Sequence, residues 1–180
     1  MNNGIWIIGN HQFHDLPHQD HPEIDRIHID FIRKHGALMP KPIIFPSPNK
    51  KRKAVLTHLG EIPADQDYYS LSIDGLSDSF VNRIFGEVCL WSPESRFLVV
   101  QEWKEIDESK VPKFYVLLVI DVLARRECII ANVERAKGNI LPESFIGESL
   151  MYTVIYYGQF GMTKSFESKV QYLNSWQSIK

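Results

Sequence analysis

The chain lacks the residue patterns that most directly identify a class of protein. Its 180 residues include two cysteines, Cys89 and Cys128, too few for a disulfide framework or for a zinc site built from thiolates. No window approaches the roughly 20 apolar residues that a membrane-spanning helix requires. The formal net charge of −2 argues against a broad nucleic-acid-binding surface. We therefore expect buried, reduced thiols, no membrane span and no nucleic-acid partner.

The linear motifs of catalysis are absent as well. The sequence contains no G-x-S-x-G nucleophile elbow and no H-E-x-x-H zinc motif. It also lacks the phosphate-binding G-x-x-x-x-G-K-[ST] and the dinucleotide-binding G-x-G-x-x-G. We name no catalytic residue. An enzyme is therefore the less favoured interpretation, and the alternative is an enzyme without a linear motif.

What the sequence does contain is typical of one globular domain. Hydrophobic residues make up 44% and charged residues 23%, which are ordinary proportions for a folded protein. The first ten residues, MNNGIWIIGN, lack the basic region and the apolar core of a secretory signal, so we expect a cytoplasmic protein. The single domain, 1–180, is predicted to have three sections: an N-terminal strand and helix at 1–38, a proline-rich extended segment at 39–53, and an antiparallel sheet at 54–176.

The N-terminal section combines a short apolar run with a helical pattern. Residues 5–8, IWII, lie between glycines and predict a first strand. Residues 20–35 predict a helix, because Asp20 and Glu23 have the spacing of a capping box and Gly36 is placed to end it. The apolar positions that recur at helical spacing are Ile24, Ile27, Phe31 and Ile32. A short strand is the alternative, because apolar residues also alternate within this segment.

Beta-branched and aromatic runs dominate the rest of the chain. The segments that predict strands are 54–59, 68–73, 87–91, 96–103, 114–122, 127–133, 150–157 and 165–173. Short connections indicate antiparallel neighbours and hence a meander. Residues 76–85 predict one short helix, and the last two strands predict a hairpin around Gly158 and Gly161. The four prolines of residues 39–49 require an extended segment at a sheet edge or across the surface.

The strand predicted at 114–122 is apolar on both faces. One face carries Phe114, Val116, Leu118, Ile120 and Val122, and the other carries Tyr115, Leu117 and Val119. Such a strand must be central and covered on both sides. Either the helix at 20–35 or another sheet must supply the covering layer. We therefore predict a β-rich α+β fold, an antiparallel β-meander with an N-terminal helix packed on one face.

The segment LWSPESRFLVVQEW, residues 90–103, resembles a strand pair of the Tol-type and WD-repeat β-propellers. The resemblance rests on the turn from Trp91 to Arg96, WSPESR, which precedes an apolar strand. It extends over about residues 86–133, through LLVIDVLARRECII. A propeller repeats its blade at least four times, at about 40 residues each, whereas this chain has one such segment. The resemblance therefore implies a tight turn and a local meander, and it does not imply a propeller function.

Histidines crowd the segment HQFHDLPHQDH, residues 11–21. On a continuous helix the four imidazoles would fall within about 80° of one another and could bind zinc or another divalent metal. Pro17 interrupts such a helix, and a strand would direct the histidines to opposite sides. A loop could still collect them. The candidate metal ligands are His11, His14, Asp15, His18 and His21.

Aromatic residues are the candidate contacts to a protein partner. Tyrosine and tryptophan combine a large apolar surface with a polar tip, and they are enriched at interfaces. The alternative is that most of them belong to the core or to a sheet face, and exposure of several would favour a binding surface. The six candidates are Tyr68, Tyr69, Trp91, Trp103, Tyr156 and Tyr157.

Three functions are consistent with these patterns. The first is a non-catalytic protein-binding module without a cofactor, similar in size and style to the bacterial immunity proteins that block toxins. The second is a metal-binding protein or metal-dependent enzyme that uses the histidine-rich segment 11–35. The third is a structural or scaffold protein that forms a homo-oligomer through its edge strands.

Overall fold

The computed structural model describes residues 5–8, 11–14, 40–62, 66–106, 111–158 and 161–179. The chain divides into two compact units, residues 1–38 and 39–180. In the first unit, β1 (Ile5–Ile8) pairs antiparallel with β2 (His11–His14), which confirms the predicted first strand. The predicted helix at 20–35 lies outside the described residues.

The second unit is built from antiparallel strands. These are β3 (Ile43–Pro46), β4 (Lys53–Ile62), β5 (Gln66–Ile73), β6 (Ile84–Trp91), β7 (Phe97–Ile106), β8 (Pro112–Asp121), β9 (Arg126–Glu134), β10 (Gly138–Ile146), β11 (Ser149–Tyr156), β12 (Met162–Lys169) and β13 (Gln177–Ser178). Two short 3-10 turns, Ser77–Phe80 and Val170–Tyr172, interrupt them. Within the described ranges, no helix has the length and apolar character needed to cross a membrane.

The strands form two sheets in this unit. Strands β3 to β9 lie side by side in chain order, and β13 pairs with β9 to complete an eight-stranded sheet. Strands β10, β11 and β12 form a separate three-stranded sheet. Neighbouring strands run antiparallel, as their short connections require. The predicted β-rich antiparallel meander is therefore confirmed.

The eight-stranded sheet folds over itself between β5 and β6. These two strands share a single registered pair, Tyr69 with Phe85, so the joint between them is weak. Beyond it, the indole of Trp91 donates a hydrogen bond to the carbonyl of Phe45 over 2.9 Å, which joins β6 to the distant edge strand β3. The two parts of the sheet enclose a first core. Its large members include Leu56, Leu71, Ile73, Phe80, Phe85, Leu98, Leu118 and Ile120.

A second core lies on the opposite face of the β6–β9 layer. The three-stranded sheet covers this face, and β10 contacts each of the strands β6, β7, β8 and β9. The members of the second core include Val99, Trp103, Tyr115, Leu117, Val119, Ile140, Leu150, Val154 and Val170. The β6–β9 layer is thus sandwiched between two others, and a second sheet supplies the covering layer that the strand at 114–122 requires.

A buried amide links the middle layer to the three-stranded sheet. The side chain of Gln101, which is 2% exposed, donates hydrogen bonds to the carbonyl of Ile140 (2.7 Å) and to the side-chain oxygen of Asn139 (2.6 Å). Its own oxygen accepts a hydrogen bond from the indole of Trp103. Because a buried amide costs free energy unless it is paired, this arrangement favours one placement of β10 against β7.

Three sequence predictions differ from the structure. Residues 76–85 do not form a helix beyond the 3-10 turn Ser77–Phe80, and β6 starts at Ile84. Strand β10 is not predicted, because Pro142 and a register shift beside it break its alternation. The last predicted strand, 165–173, is displaced, since β12 ends at Lys169. The proline-rich segment does provide β3 at the edge of the large sheet, as predicted.

Candidate functional site

Each sheet of the second unit ends in two edge strands, and three of these four edges carry a feature that blocks further pairing. Strand β3 has four residues and ends in Pro46, and β13 has two residues. Strand β10 contains Pro142 and a register shift. Strand β12 has eight residues without proline or glycine, and it pairs with β11 without a register shift. Natural sheets usually protect such a long, regular edge.

Strand β12 is exposed on both faces. Seven of its eight residues are exposed, and the remaining one is of intermediate exposure. Across the hairpin, Met162 lies opposite Tyr156, and Phe166 lies opposite Tyr152. Both tyrosines pack against the second core, whereas Met162 is 50% and Phe166 36% exposed. The three-stranded sheet therefore extends beyond the layer that it covers, and the core-facing side of β12 meets solvent.

Aromatic contacts order the side chains on this side of the hairpin. The rings of Phe166 and Tyr152 stack with centroids 5.3 Å apart. The ammonium of Lys164 lies 5.8 Å from the ring centroid of Tyr156, within the range of a cation–π interaction. Among the described residues, no carboxylate forms an ion pair with Lys164. We call the group Tyr152, Tyr156, Met162, Lys164 and Phe166 the β12 surface.

The opposite side of the small sheet has a different character. There the hydroxyl of Thr153 donates a hydrogen bond to the carboxylate of Glu143. The hydroxyl of Ser149 donates to Glu167 over 2.6 Å. Because these polar groups hydrogen-bond to one another, we favour the β12 surface over this side as the contact to a partner.

A cleft of about 590 Å³ lies beside the second core. Beneath it, the fully buried carboxylate of Asp121 accepts hydrogen bonds from Arg96 (2.7 and 3.1 Å), from Arg126 (3.3 Å) and from the amide of Ala124 (3.1 Å). Burial alone would raise the pKa of Asp121, but these hydrogen bonds hold it below its usual value. The lining residues are Pro93, Glu94, Arg96, Phe97, Arg126, Phe145, Gly147, Glu148, Val170, Gln171 and Trp176.

The arginines of this cleft also hold Trp176, which lies just before β13. Arg96 lies 4.9 Å above the ring of Phe97, Phe97 stacks on Trp176, and Arg126 lies 4.5 Å from the Trp176 ring. This alternating stack fastens the segment before β13 to β7 and β9. The lining also includes two glutamates, which balance the two arginines. With Asp121 below, the formal charge is not positive, and the arrangement fits a structural clamp better than an anion site.

A second arginine network closes the first core. Both oxygens of Glu102 accept hydrogen bonds from Arg83 over 2.7 Å, and Glu127 accepts a third over the same distance. Lys104 adds an ion pair to Glu102 at 2.7 Å. Arg83 also lies over the ring of Phe80 at 5.1 Å. The network fixes the β5–β6 connection against β7 and β9. Its charged side chains are paired with one another in these structural contacts.

Among the described residues, the cluster around Tyr69 brings a histidine, an aspartate and a tyrosine together. His58 and Asp67 lie 3.0 Å apart, and the hydroxyl of Tyr69 donates a longer hydrogen bond of 3.4 Å to Asp67. Burial, together with the nearby charges of Glu87 and Asp67, raises the pKa of Tyr69 to about 12. A phenol with such a pKa exchanges protons poorly at neutral pH. The Tyr69 hydroxyl is therefore poorly suited to serve as a general acid or base at neutral pH.

No family model, curated protein or solved structure matches this chain. The resemblance of residues 86–133 to a propeller blade therefore stays a prediction. Residues 92–96 do form a tight turn between β6 and β7, in which the amide of Phe97 donates to the hydroxyl of Ser92 over 3.0 Å. That turn is a local feature of the meander.

The predicted aromatic contacts divide by burial. Tyr69, Trp91 and Trp103 are 5%, 8% and 2% exposed, so they are core residues and offer little surface to a partner. Tyr68 and Tyr156 are partly buried against the second core. Tyr157, which follows β11, is 54% exposed. Contact between any of the six and a partner stays a prediction, and the structure brings only Tyr156 into the β12 surface.

The predicted metal ligands are concentrated in the first unit. His11 and His14 begin and end β2, whereas Asp15, His18 and His21 lie outside the described residues. In the part of the chain that the structure describes, no three histidine, cysteine or acidic side chains are grouped to hold a metal. Cys89 and Cys128 are free and buried, and burial raises the pKa of both thiols. Neither thiol is suited to nucleophilic chemistry.

Met162, Lys164 and Phe166 are not among the site residues that the sequence predicts. Their segment, MTKSFESK, has only two large apolar residues, and its polarity is typical of a solvent-exposed strand. The available signal is a regular strand that follows a tyrosine-rich strand and contains no proline or glycine. That signal gains meaning only once the strand is known to be at an edge.

Proposed function

We propose that this chain is a protein-binding module and that it contacts its partner through the β12 surface and the free edge of β12. The observation that carries this proposal is the contrast among the four edges. Three are short or interrupted by proline, and β12 is long, regular and exposed. An unprotected edge presents unpaired backbone N–H and C=O groups to another chain.

The side chains beside this edge support the same function. Interfaces are enriched in aromatic residues and methionine, and the β12 surface contains Tyr152, Tyr156, Met162 and Phe166. The stacked pair Tyr152–Phe166 presents a preordered apolar surface. Ordering it on binding therefore costs little conformational entropy.

The specific form we propose is an inhibitor or immunity-type protein of a bacterium. Such a protein acts by covering its target, so it needs no acid, base or nucleophile of its own. The buried thiols and the high pKa of Tyr69 are consistent with that mode of action. In this form, the bound partner is an enzyme whose activity decreases when an equimolar amount of the chain is added.

Site-specific photo-crosslinking in the source cells tests the proposal. A photoreactive phenylalanine analogue is placed at Met162 or Phe166, and matched controls carry it at Ile44 or Leu123, which are each 58% exposed. We expect one discrete adduct, identified by mass spectrometry, from the two β12 positions and not from the controls. Absence of an adduct at β12, or equal adducts at all four positions, would refute the proposal.

A further inference from the structure

We infer that the partner adds an extended segment to β12 as a further strand, with an acidic residue opposite Lys164 and apolar residues opposite Met162 and Phe166. This inference rests on the proposed function and deepens it. The segment would read apolar–x–acidic–x–apolar, which is the same in either strand direction. The partner is thus identified by a short pattern that can be sought in candidate proteins.

The backbone of β12 is suited to strand addition. In a strand whose one side is paired, alternate residues direct their N–H and C=O groups toward the other side. The eight residues of β12 span roughly 26 Å at about 3.3 Å per residue. Because the pairing with β11 continues without a register shift, these groups form a regular ladder that an extended segment can match.

The side chains of β12 determine which segment fits. Residues that lie directly opposite each other in neighbouring strands share a face and interact. On the side of the sheet that carries the β12 surface, the open edge presents Met162, Lys164 and Phe166 in that order, with Lys164 in the middle. Since none of the described carboxylates pairs with Lys164, an acidic partner residue there would complete a cross-strand ion pair beside the ring of Tyr156.

A second copy of this chain fits the edge less well. When two copies pair antiparallel about a two-fold axis, each face of β12 continues into the same face of the other copy. The face of Lys164 carries Met162, Phe166 and Ser168, and none of these is acidic. The acidic residue of β12, Glu167, lies on the opposite face. Self-pairing therefore leaves both copies of Lys164 without a carboxylate, whereas a different protein can supply one.

A display experiment tests the inference with defined probes. Random peptides of about twelve residues, long enough to cover β12, are displayed on phage and selected on the immobilised full chain. Enriched peptides are then synthesised, and their affinities are measured by fluorescence polarisation. The targets are the unmodified chain, Lys164→Glu, and the control Lys50→Glu, which makes the same charge change at an exposed position beyond β3.

We expect the enriched peptides to contain the apolar–x–acidic–x–apolar pattern. Lys164→Glu should weaken their binding about tenfold, and Lys50→Glu should leave it unchanged. Replacing the acidic residue of the peptide by lysine should restore binding to the Lys164→Glu chain. Because Lys164 is exposed, the variant should keep its unfolding midpoint, which urea denaturation verifies.

Several outcomes would overturn the inference. Enriched peptides without the pattern, binding that does not respond to Lys164→Glu, or failure of the charge exchange would each contradict it. Sedimentation that shows a dimer dissociated by Lys164→Glu would assign the edge to a second copy instead. If Met162 and Phe166 still crosslink to a different protein in any of these cases, the binding function stands and only the strand-addition pattern fails. Loss of those crosslinks would refute the function itself.

Discussion

Strands β8 and β12 have opposite environments in one antiparallel fold. In β8, the seven successive residues from Tyr115 to Asp121 are buried. In β12, seven of eight residues are exposed. Strand β8 lies in the middle layer, between both cores, and β12 lies at the edge of the covering sheet. The same strand geometry thus provides stability in one place and a surface for contact in the other.

Because of this difference, we expect substitutions in β8 to affect folding and substitutions in β12 to affect binding. Strand β8 has a neighbour on every side, because β7 and β9 pair with it and a layer packs on each face. Among the described strands, β12 pairs with β11 alone. A loss of side-chain volume should therefore be costly in β8, whereas in β12 it should spare the fold and weaken recognition.

Stability should fall most when side-chain volume is removed from β8. Leu117→Ala removes a fully buried side chain from the second core, and Leu118→Ala removes one from the first. Each should lower the free energy of unfolding by about 3 kcal/mol, the typical cost of a buried leucine cavity. Urea denaturation followed by tryptophan fluorescence measures this. A loss below about 1 kcal/mol for either would show that β8 is not covered on that face.

A smaller loss of stability is expected from substitution of Asp121, the last residue of β8. Asp121→Asn should cost about 2 kcal/mol at neutral pH, because it weakens the charge-assisted hydrogen bonds from Arg96 and Arg126. Both arginines are partly exposed, and solvent screening keeps the cost from being larger. Urea denaturation of both proteins at several pH values gives the difference.

The pH dependence of this difference follows from the lowered pKa of Asp121. A carboxylate whose pKa is lower in the folded state than in the unfolded state stabilises the fold when the pH is above the unfolded-state pKa, about 3.9. This stability is lost as the pH falls through the folded-state pKa. The cost of Asp121→Asn should therefore shrink below about pH 4. A cost that is equal at neutral and acidic pH would show that the ion pairs contribute nothing.

The smallest effect on stability is expected in β12. Phe166→Ala and Lys164→Glu should each change the free energy of unfolding by less than about 1 kcal/mol, because both side chains are exposed. The same variants should weaken partner binding, as measured by crosslinking yield at Met162. Unfolding of either variant would mean that β12 has a structural role and would remove the contrast with β8.

The burial of β8 can be predicted from the sequence, because the apolar residues of both its faces lie within one short segment. Two apolar faces within one strand require two covering layers, whatever supplies them. The identity of the second layer could not be predicted, because β10 contains Pro142 and its apolar and polar residues do not alternate regularly. Burial of Trp91 and Trp103 also depends on long-range packing, since the indole of Trp91 reaches the carbonyl of Phe45 across the folded sheet.

The candidate site was harder to predict than the fold. A polar strand such as MTKSFESK reads the same whether its edge is free or paired. The distinction depends on where the chain goes after Lys169, and that is a matter of tertiary topology. The histidine-rich segment is conspicuous in the sequence, but most of it lies outside the described residues. Composition therefore points to residues 11–21, whereas geometry indicates β12.

Amide hydrogen exchange along β8 and β12 in the free protein, measured residue by residue by NMR, shows directly whether the edge of β12 is free. A free edge predicts that every second amide of β12 exchanges at nearly the rate of an unstructured peptide, while the alternate amides and all those of β8 are protected. Uniform protection along β12 would show that its edge is already covered. That result would contradict its role as the binding edge.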